Sequence, residues 1–237
     1  MTAAAPLNTT SHKNLAIRIC VALVLGSLLP LAFAPFSIWP LAILIPALML
    51  TVVQSNMSIT NIFFTGWIFG IGYFGFGVYW IYNSLHDFGM ASPVVAGGIT
   101  GLLVIYLALA PALVFTIWCL ARRRIGEISL WFLPLLWFGL EWFKGWFLTG
   151  MPWLSLGYSQ THSPLSGFAP LIGVYGISAL CLFMSVTLFL LLRDKRYSML
   201  TILIAIPLSG WLLQQIEWTQ PLAKPLKVTM VQGNIPQ

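Results

Sequence analysis

The sequence predicts an all-α polytopic membrane bundle of about seven transmembrane helices, followed by a single β-strand belonging to an α/β domain. Three observations carry this reading. Hydrophobic residues make up 59% of the 237-residue chain and charged residues only 7%. A soluble chain carries about 25% charged residues, so lipid must cover most of this one. The apolar residues come in long unbroken runs. Membrane barrels instead use strands of about ten residues that alternate polar and apolar, and only helices and closed barrels satisfy their backbone in hydrocarbon. Finally, the character changes after Glu217, where prolines and then a short alternating β-rich segment replace the apolar runs.

The elements follow in order. Residues 1–13 are small and polar and read as a disordered cytoplasmic tail. Lys13 and Arg18 then open an apolar run. A cleaved signal peptide is the rival reading, but the run is long and no clean A-x-A site precedes polar sequence, so a retained helix is favoured. A full span needs about 20 apolar residues. That ruler gives helices over 14–34, 37–54, 59–83, 92–121, 128–146, 165–192 and 197–216, a membrane domain of residues 14–216. Ala34-Pro35-Phe36-Ser37 supplies a tight turn between the first two. Pro30, Pro46, Pro111, Pro134, Pro170 and Pro207 fall within these helices and are expected to kink them. Glycines cluster at Gly66, Gly70, Gly72, Gly75 and Gly77, and again at Gly97, Gly98 and Gly101. Small residues at this spacing let helices approach closely, so packing is the favoured reading of both clusters, with a groove that admits a lipid chain as the alternative.

Charge sets the orientation. Lys13, Arg18, Arg122, Arg123, Arg124, Arg193, Lys195 and Arg196 fall on one side of the bundle, against Lys144, Lys224 and Lys227 on the other. The positive-inside rule then puts the N-terminus in the cytoplasm and the C-terminal end outside. The net charge of +6 is scattered in short clusters between apolar runs, which is the pattern of orientation signals and not of a nucleic-acid-binding face. Residues 217–227 read as an outer linker. Over 228–237 the pattern reads as a strand whose partners the chain does not contain, since even an isolated hairpin is marginal.

Few residues are candidates for chemistry. Cys20, Cys119 and Cys181 lie singly in apolar runs, with no metal-ligand spacing. No metal or cofactor is expected. His86 and Asp87 are adjacent, which suits a surface loop better than a catalytic pair. Glu127 and Asp194 sit beside arginines and read as solvated loop charges. The most informative stretch is 140–160. Glu141 and Lys144 lie three apart on one helical face and can pair. Ionisable groups at membrane depth mark either a structural strut or a site. Trp142, Trp146, Trp153 and Tyr158 suit an aromatic belt. The belt does not explain the Gly150-Met-Pro-Trp153 turn, nor the polar Ser155, Tyr158, Ser159 and Gln160 after it. An outer loop of this kind suits a lipid headgroup or a lipid-modified peptide. Trp80, at the end of the third helix, belongs to the same region.

Several segments together resemble the membrane domain of the bacterial apolipoprotein N-acyltransferases. They are Leu31-Ala-Phe-Ala-Pro-Phe36 with Trp39-Pro40, then Gly77-Val-Tyr-Trp-Ile-Tyr82, then Thr149-Gly-Met-Pro-Trp-Leu-Ser-Leu-Gly-Tyr-Ser-Gln160. Val228-Thr-Met-Val-Gln-Gly-Asn-Ile-Pro-Gln237 resembles the first strand of that family's nitrilase-like domain. The resemblance implies an inner-membrane enzyme, working as a monomer, with a periplasmic catalytic domain. It implies transfer of an acyl chain from a phospholipid donor to the diacylglyceryl-cysteine of a lipoprotein. The implied chemistry passes through a cysteine thioester, with a glutamate base and a lysine that steadies the oxyanion. That triad is expected beyond Gln237, so no catalytic residue is assigned and this stretch alone is expected to be inactive. Trp153, Tyr158, Trp80 and the Glu141/Lys144 pair are expected to shape the substrate region. Two other readings compete: a small transporter, which needs ionisable residues at mid-membrane on several helices, and a non-catalytic membrane scaffold.

Overall fold

The computed structural model describes residues 9–220 and 227–233, with side chains from residue 14 onward. Within them the chain is mostly helical and contains no strand. The helices are α1 (Thr9–Leu28), α2 (Leu41–Val52), α3 (Ile59–Gly77), α4 (Trp80–Asn83), α5 (Pro93–Leu107), α6 (Leu109–Ile125), α7 (Leu133–Lys144), α8 (Ala169–Asp194) and α9 (Met199–Leu213). Ser58 caps α3 by accepting from Asn61 N at 3.2 Å, and Ser92 caps α5 ahead of Pro93 by accepting from Val95 N at 3.4 Å.

Four stretches of the described residues are long and apolar enough to cross a membrane: Asn14–Ala32, Ile59–Gly77, Pro93–Lys144 and Pro164–Asp194. The third has 52 residues. As one straight helix it would measure about 78 Å, against a hydrocarbon core of about 30 Å. It does not run straight, because Gly126 turns the chain with φ 64° and α7 packs back on α6. Helices α2 and α9 are apolar but have only 12 and 15 residues.

Helix α3 lies between α1 and α6, and α8 packs against α2, α7 and α9. Phe69, Tyr73, Phe115 and Trp118 are fully buried at the centre. The first glycine cluster explains this packing. A Cβ on Gly72 would sit 2.5 Å from the Leu23 carbonyl oxygen, and one on Gly70 2.7 Å from the Ala108 Cα. Helix backbones come that close only where side chains are absent. The second cluster behaves differently, since Gly97, Gly98 and Gly101 face open space.

Several sequence expectations need correction. The expected tail of residues 1–13 overlaps α1, which already begins at Thr9; residues 1–8 lie outside the described residues. The third helix ends at Gly77 and not at 83, because glycine is a poor helix former and four glycines crowd its last eight residues. Three of the six prolines start helices and do not kink them. Pro134 and Pro170 occupy the first two positions of α7 and α8, and Pro30 opens a 3-10 turn. At a helix start the missing N–H has no partner to lose. Pro111 separates α5 from α6, because its ring conflicts with the carbonyl of Leu107 four residues earlier. Only Pro46 and Pro207 lie inside their helices. The β-rich end forms no strand over 227–233, where no neighbouring strand offers its N–H and C=O groups. Residues 221–226 of the expected linker, and 234–237, lie outside the described residues.

Glu127 and Asp194, expected as solvated loop charges beside arginines, are joined to them in a network. Glu127 joins Arg122 and Arg193, the latter at 2.8 Å, while Asp194 joins Arg193 at 2.6 Å and Arg196 at 3.4 Å. This network ties the α6–α7 turn to the end of α8.

Candidate functional site: a loop held by its backbone

At the opposite end of α6 and α7 from that network, Trp137, Glu141 and Lys144 share one face of α7. This follows from their spacing of four and three residues. The face is turned inward. Glu141 is 5% exposed and Lys144 8%. The two do not form an ion pair with each other, contrary to the expectation from their spacing; the ion pairs among the described residues are those of Arg122, Arg193 and Arg196. Each instead reaches across to the chain that follows. Glu141 Oε1 accepts from Trp137 Nε1 at 2.7 Å and from the Leu156 backbone N–H at 2.8 Å. Lys144 Nζ donates to the Trp153 carbonyl at 3.0 Å and lies 5.4 Å from the centre of the Phe74 ring.

Two further helices complete the arrangement. Tyr73 of α3 donates its hydroxyl to the Leu154 carbonyl at 2.7 Å. Ser178 of α8 accepts from the Gly157 N–H at 2.7 Å. Further along, Gln160 Nε2 donates to the Trp39 carbonyl at 3.2 Å. Backbone atoms of residues 153, 154, 156 and 157 are therefore held by side chains from three helices. Each buried bond to a charged group contributes about 1.5–3 kcal/mol, and a neutral one about 1 kcal/mol. Glu141 Oε2 has no hydrogen-bond partner among the described residues. A cavity of about 20 Å³ lies there, lined among others by Tyr73, Lys144 and Leu154. That is room for one water-sized sphere.

The loop needs this support, because its backbone is strained. Leu148, Thr149 and Leu154 have φ of 51°, 73° and 57°. Non-glycine residues in that region cost about 1–3 kcal/mol each and persist only where their surroundings over-determine them. Gly150, at φ 83°, fits closely as well: a Cβ there would sit 2.1 Å from the Gly145 carbonyl oxygen.

The held loop presents aromatic side chains. Trp153 is 52% exposed, and its ring lies 6.0 Å from that of Trp80 at an angle of 48°. Sequence-expected residues from two distant segments are thus brought together. Tyr158 is half exposed on the same loop and pairs with no other ring among the described residues. His86 stays apart, with its Nδ1 2.9 Å from the Ala91 carbonyl and its ring 5.5 Å from Tyr82. No cluster of metal-ligating side chains occurs among the described residues. Cys181 is fully buried in α8.

Tyr73 and Ser178 were not singled out from the sequence. The available signal was a hydroxyl inside an otherwise apolar run, which at membrane depth calls for a partner. A tyrosine among aromatic neighbours and a serine among small residues hide that signal.

Comparison with known proteins places this architecture. Residues 25–187 match the family described as the apolipoprotein N-acyltransferase N-terminal domain. Among relatives, the chain is 42% identical over 224 residues to the apolipoprotein N-acyltransferase of Coxiella burnetii, covering 92% of this chain and 46% of that protein. It is 41% identical over 224 residues to that of Nitrosomonas europaea, covering 93% of this chain and 45% of the relative. For Azotobacter vinelandii the identity is 42% over 224 residues, with coverages of 92% and 43%. The chain spans about half the length of the curated relatives it matches. The matched region contains the moored loop and every side chain that holds it, and on these grounds the chain belongs to the apolipoprotein N-acyltransferase family.

Proposed function

We propose that this chain is the membrane half of an enzyme that acylates the N-terminus of lipoproteins, taking the acyl chain from a phospholipid. The acceptor is the diacylglyceryl-cysteine of a lipoprotein. The observation that carries the role of this half is the loop 150–160, whose backbone is fixed from within while Trp80 and Trp153 face outward together. A rigid aromatic pair at a membrane surface suits the glycerol and acyl region of a lipid substrate, since indole rings favour that depth. In this reading Glu141 and Lys144 are positioning residues that touch the loop and not the substrate. Tyr158 extends the same surface. The two rivals fare less well: a transporter needs ionisable groups at mid-membrane on several helices, and family membership weighs against a bare scaffold.

The finer topology belongs to the same proposal. Seven spans are reached when Pro93–Lys144 counts as two, turning at Gly126, and when α2 and α9 cross together with their flanking residues. The arginine-rich end then faces the cytoplasm and the moored loop the periplasm, in the inner membrane. The expected strand of 228–237, absent over the described 228–233, forms once a nitrilase-like domain that carries the catalytic triad supplies its neighbours. Among the described residues no group of three or more His, Cys, Asp or Glu side chains gathers at one place, and in this reading the chain by itself transfers no acyl group. The enzyme acts as a monomer.

The test is Trp153→Ala in the natural protein that carries this chain, assayed for phospholipid-dependent N-acylation of a lipoprotein peptide. Activity should fall about tenfold or more with membrane protein level unchanged, and Trp153→Phe should recover part of it. Full activity in Trp153→Ala would remove the loop from the substrate region. Independently, formation of N-acylated product by the purified 237-residue chain would overturn its assignment as the non-catalytic half.

A further inference from the structure

An open cavity lies away from the moored loop, at the arginine-rich end. It measures about 680 Å³, within the range of sites that take small molecules. Its walls are two helix faces. Leu44, Ala47, Leu48 and Thr51 recur along one side of α2 at intervals of three and four residues, and Phe189, Leu192 and Arg193 do the same on α8. The two helices are fastened together one turn earlier, where Ser185 Oγ donates to the Ile43 carbonyl at 2.8 Å. From there the groove follows α2 for about two turns, or 10 Å. It ends among Gln54, Ser55, Asn56, Arg122 and Arg193.

We propose that this groove is a binding site for an anionic phospholipid, separate from the region assigned to the acyl donor. One acyl chain lies along Leu44, Leu48 and Leu192, and the phosphate meets Arg122 and Arg193. Leu44, Leu48 and Leu192 are 40%, 38% and 65% exposed, so the apolar wall is open to an occupant from the lipid phase. Charge complementarity selects its headgroup. Glu127 and Asp194 offset the two groove arginines one for one, and the surplus positive charge comes from Arg196 beside Asp194 and from Arg123, whose guanidinium donates to the carbonyl of groove residue Ser55 at 2.9 Å. Arg122 gives one of its five N–H donors to Glu127, which leaves others for a phosphate, while Arg193 holds Asp194 and Glu127 through Nε and Nη2 and keeps its other terminal nitrogen for that role. The arginine planes are also held in place, Arg122 over Trp118 at 5.4 Å and Arg193 over Phe189 at 4.9 Å. Ser55 and Asn56 bring neutral hydrogen-bonding groups to the same end. The proposal does not depend on which leaflet this end faces, nor on the acyltransferase reading.

The experiment is native mass spectrometry of the natural protein in detergent, titrated with phosphatidylglycerol and, in parallel, with phosphatidylcholine of the same chains. Wild type should retain phosphatidylglycerol over phosphatidylcholine by about tenfold, since basic side chains favour the anionic headgroup. The double variant Arg122→Gln/Arg193→Gln should lose that preference. Leu48→Trp, which fills the groove without touching the ion network, should weaken both lipids and provides the reading if the double variant misfolds. Equal retention of the two lipids by wild type overturns the proposal, as does retention unaffected by Leu48→Trp. Displacement of the bound lipid by inorganic phosphate alone, regardless of chain length, would show an anion site without a lipid groove and overturns it equally.

Discussion

Single residues hold the loop, and their removal has graded effects. Glu141→Ala strands two buried donors, Trp137 Nε1 and the Leu156 N–H. Each costs about 1–3 kcal/mol, so the variant should lose about 2–6 kcal/mol, read as a drop in the thermal midpoint of purified protein. Glu141→Gln keeps one acceptor oxygen and should lose less. Tyr73→Phe leaves the Leu154 carbonyl alone and should cost about 1–3 kcal/mol, with faster protease cleavage in 150–160 as a local readout. An unchanged midpoint and cleavage rate would mean the hydroxyl holds nothing. At this scale the sequence was partly readable. Two charges in an apolar run announced Glu141 and Lys144, but their three-residue spacing suggested each other as partners. Both turned to the loop because a backbone with stranded groups is a costlier neighbour than a second side chain.

At the level of helices, glycine position matters more than glycine number. Gly72 sits where α1 and α3 touch through their backbones, so Gly72→Val should break that contact and reduce folded yield sharply. Gly98 faces open space, so Gly98→Ala should be neutral or stabilise by up to about 1 kcal/mol through helix propensity alone. Equal effects of the two changes would contradict the packing described. Both clusters look alike in the sequence, because a spacing of four says that a helix has a smooth face and not what lies against it. The helix ends were similarly hidden. Hydropathy measures how apolar a run is, and it reads straight through Pro111, where α5 gives way to α6, whereas the arginines before Gly126 interrupt the run and mark the turn there.

For the molecule as a whole, the proposed orientation makes a definite prediction. With the native cysteines removed, Asp87→Cys should react with an impermeant maleimide added to the outer face of the membrane. Arg196→Cys should react only once the membrane is opened. The reverse pattern would invert the topology and place the moored loop in the cytoplasm. The class of fold, its membrane setting and its family were legible, since composition, run length and the 149–160 segment each constrain them directly. The number of crossings was not, because α2 and α9 are too short for their length alone to decide it.

The mooring bonds end on main-chain atoms of the loop, at Trp153, Leu154, Leu156 and Gly157, and spare its outward side chains any duty in holding its shape. Shape and chemical character are thereby assigned to different atoms. A lineage can repaint this surface, one ring at a time, without reopening the question of how the loop folds. A chemist can do the same: an indole analogue with altered fluorescence at position 153 would report on what approaches the membrane face while leaving the scaffold beneath it undisturbed.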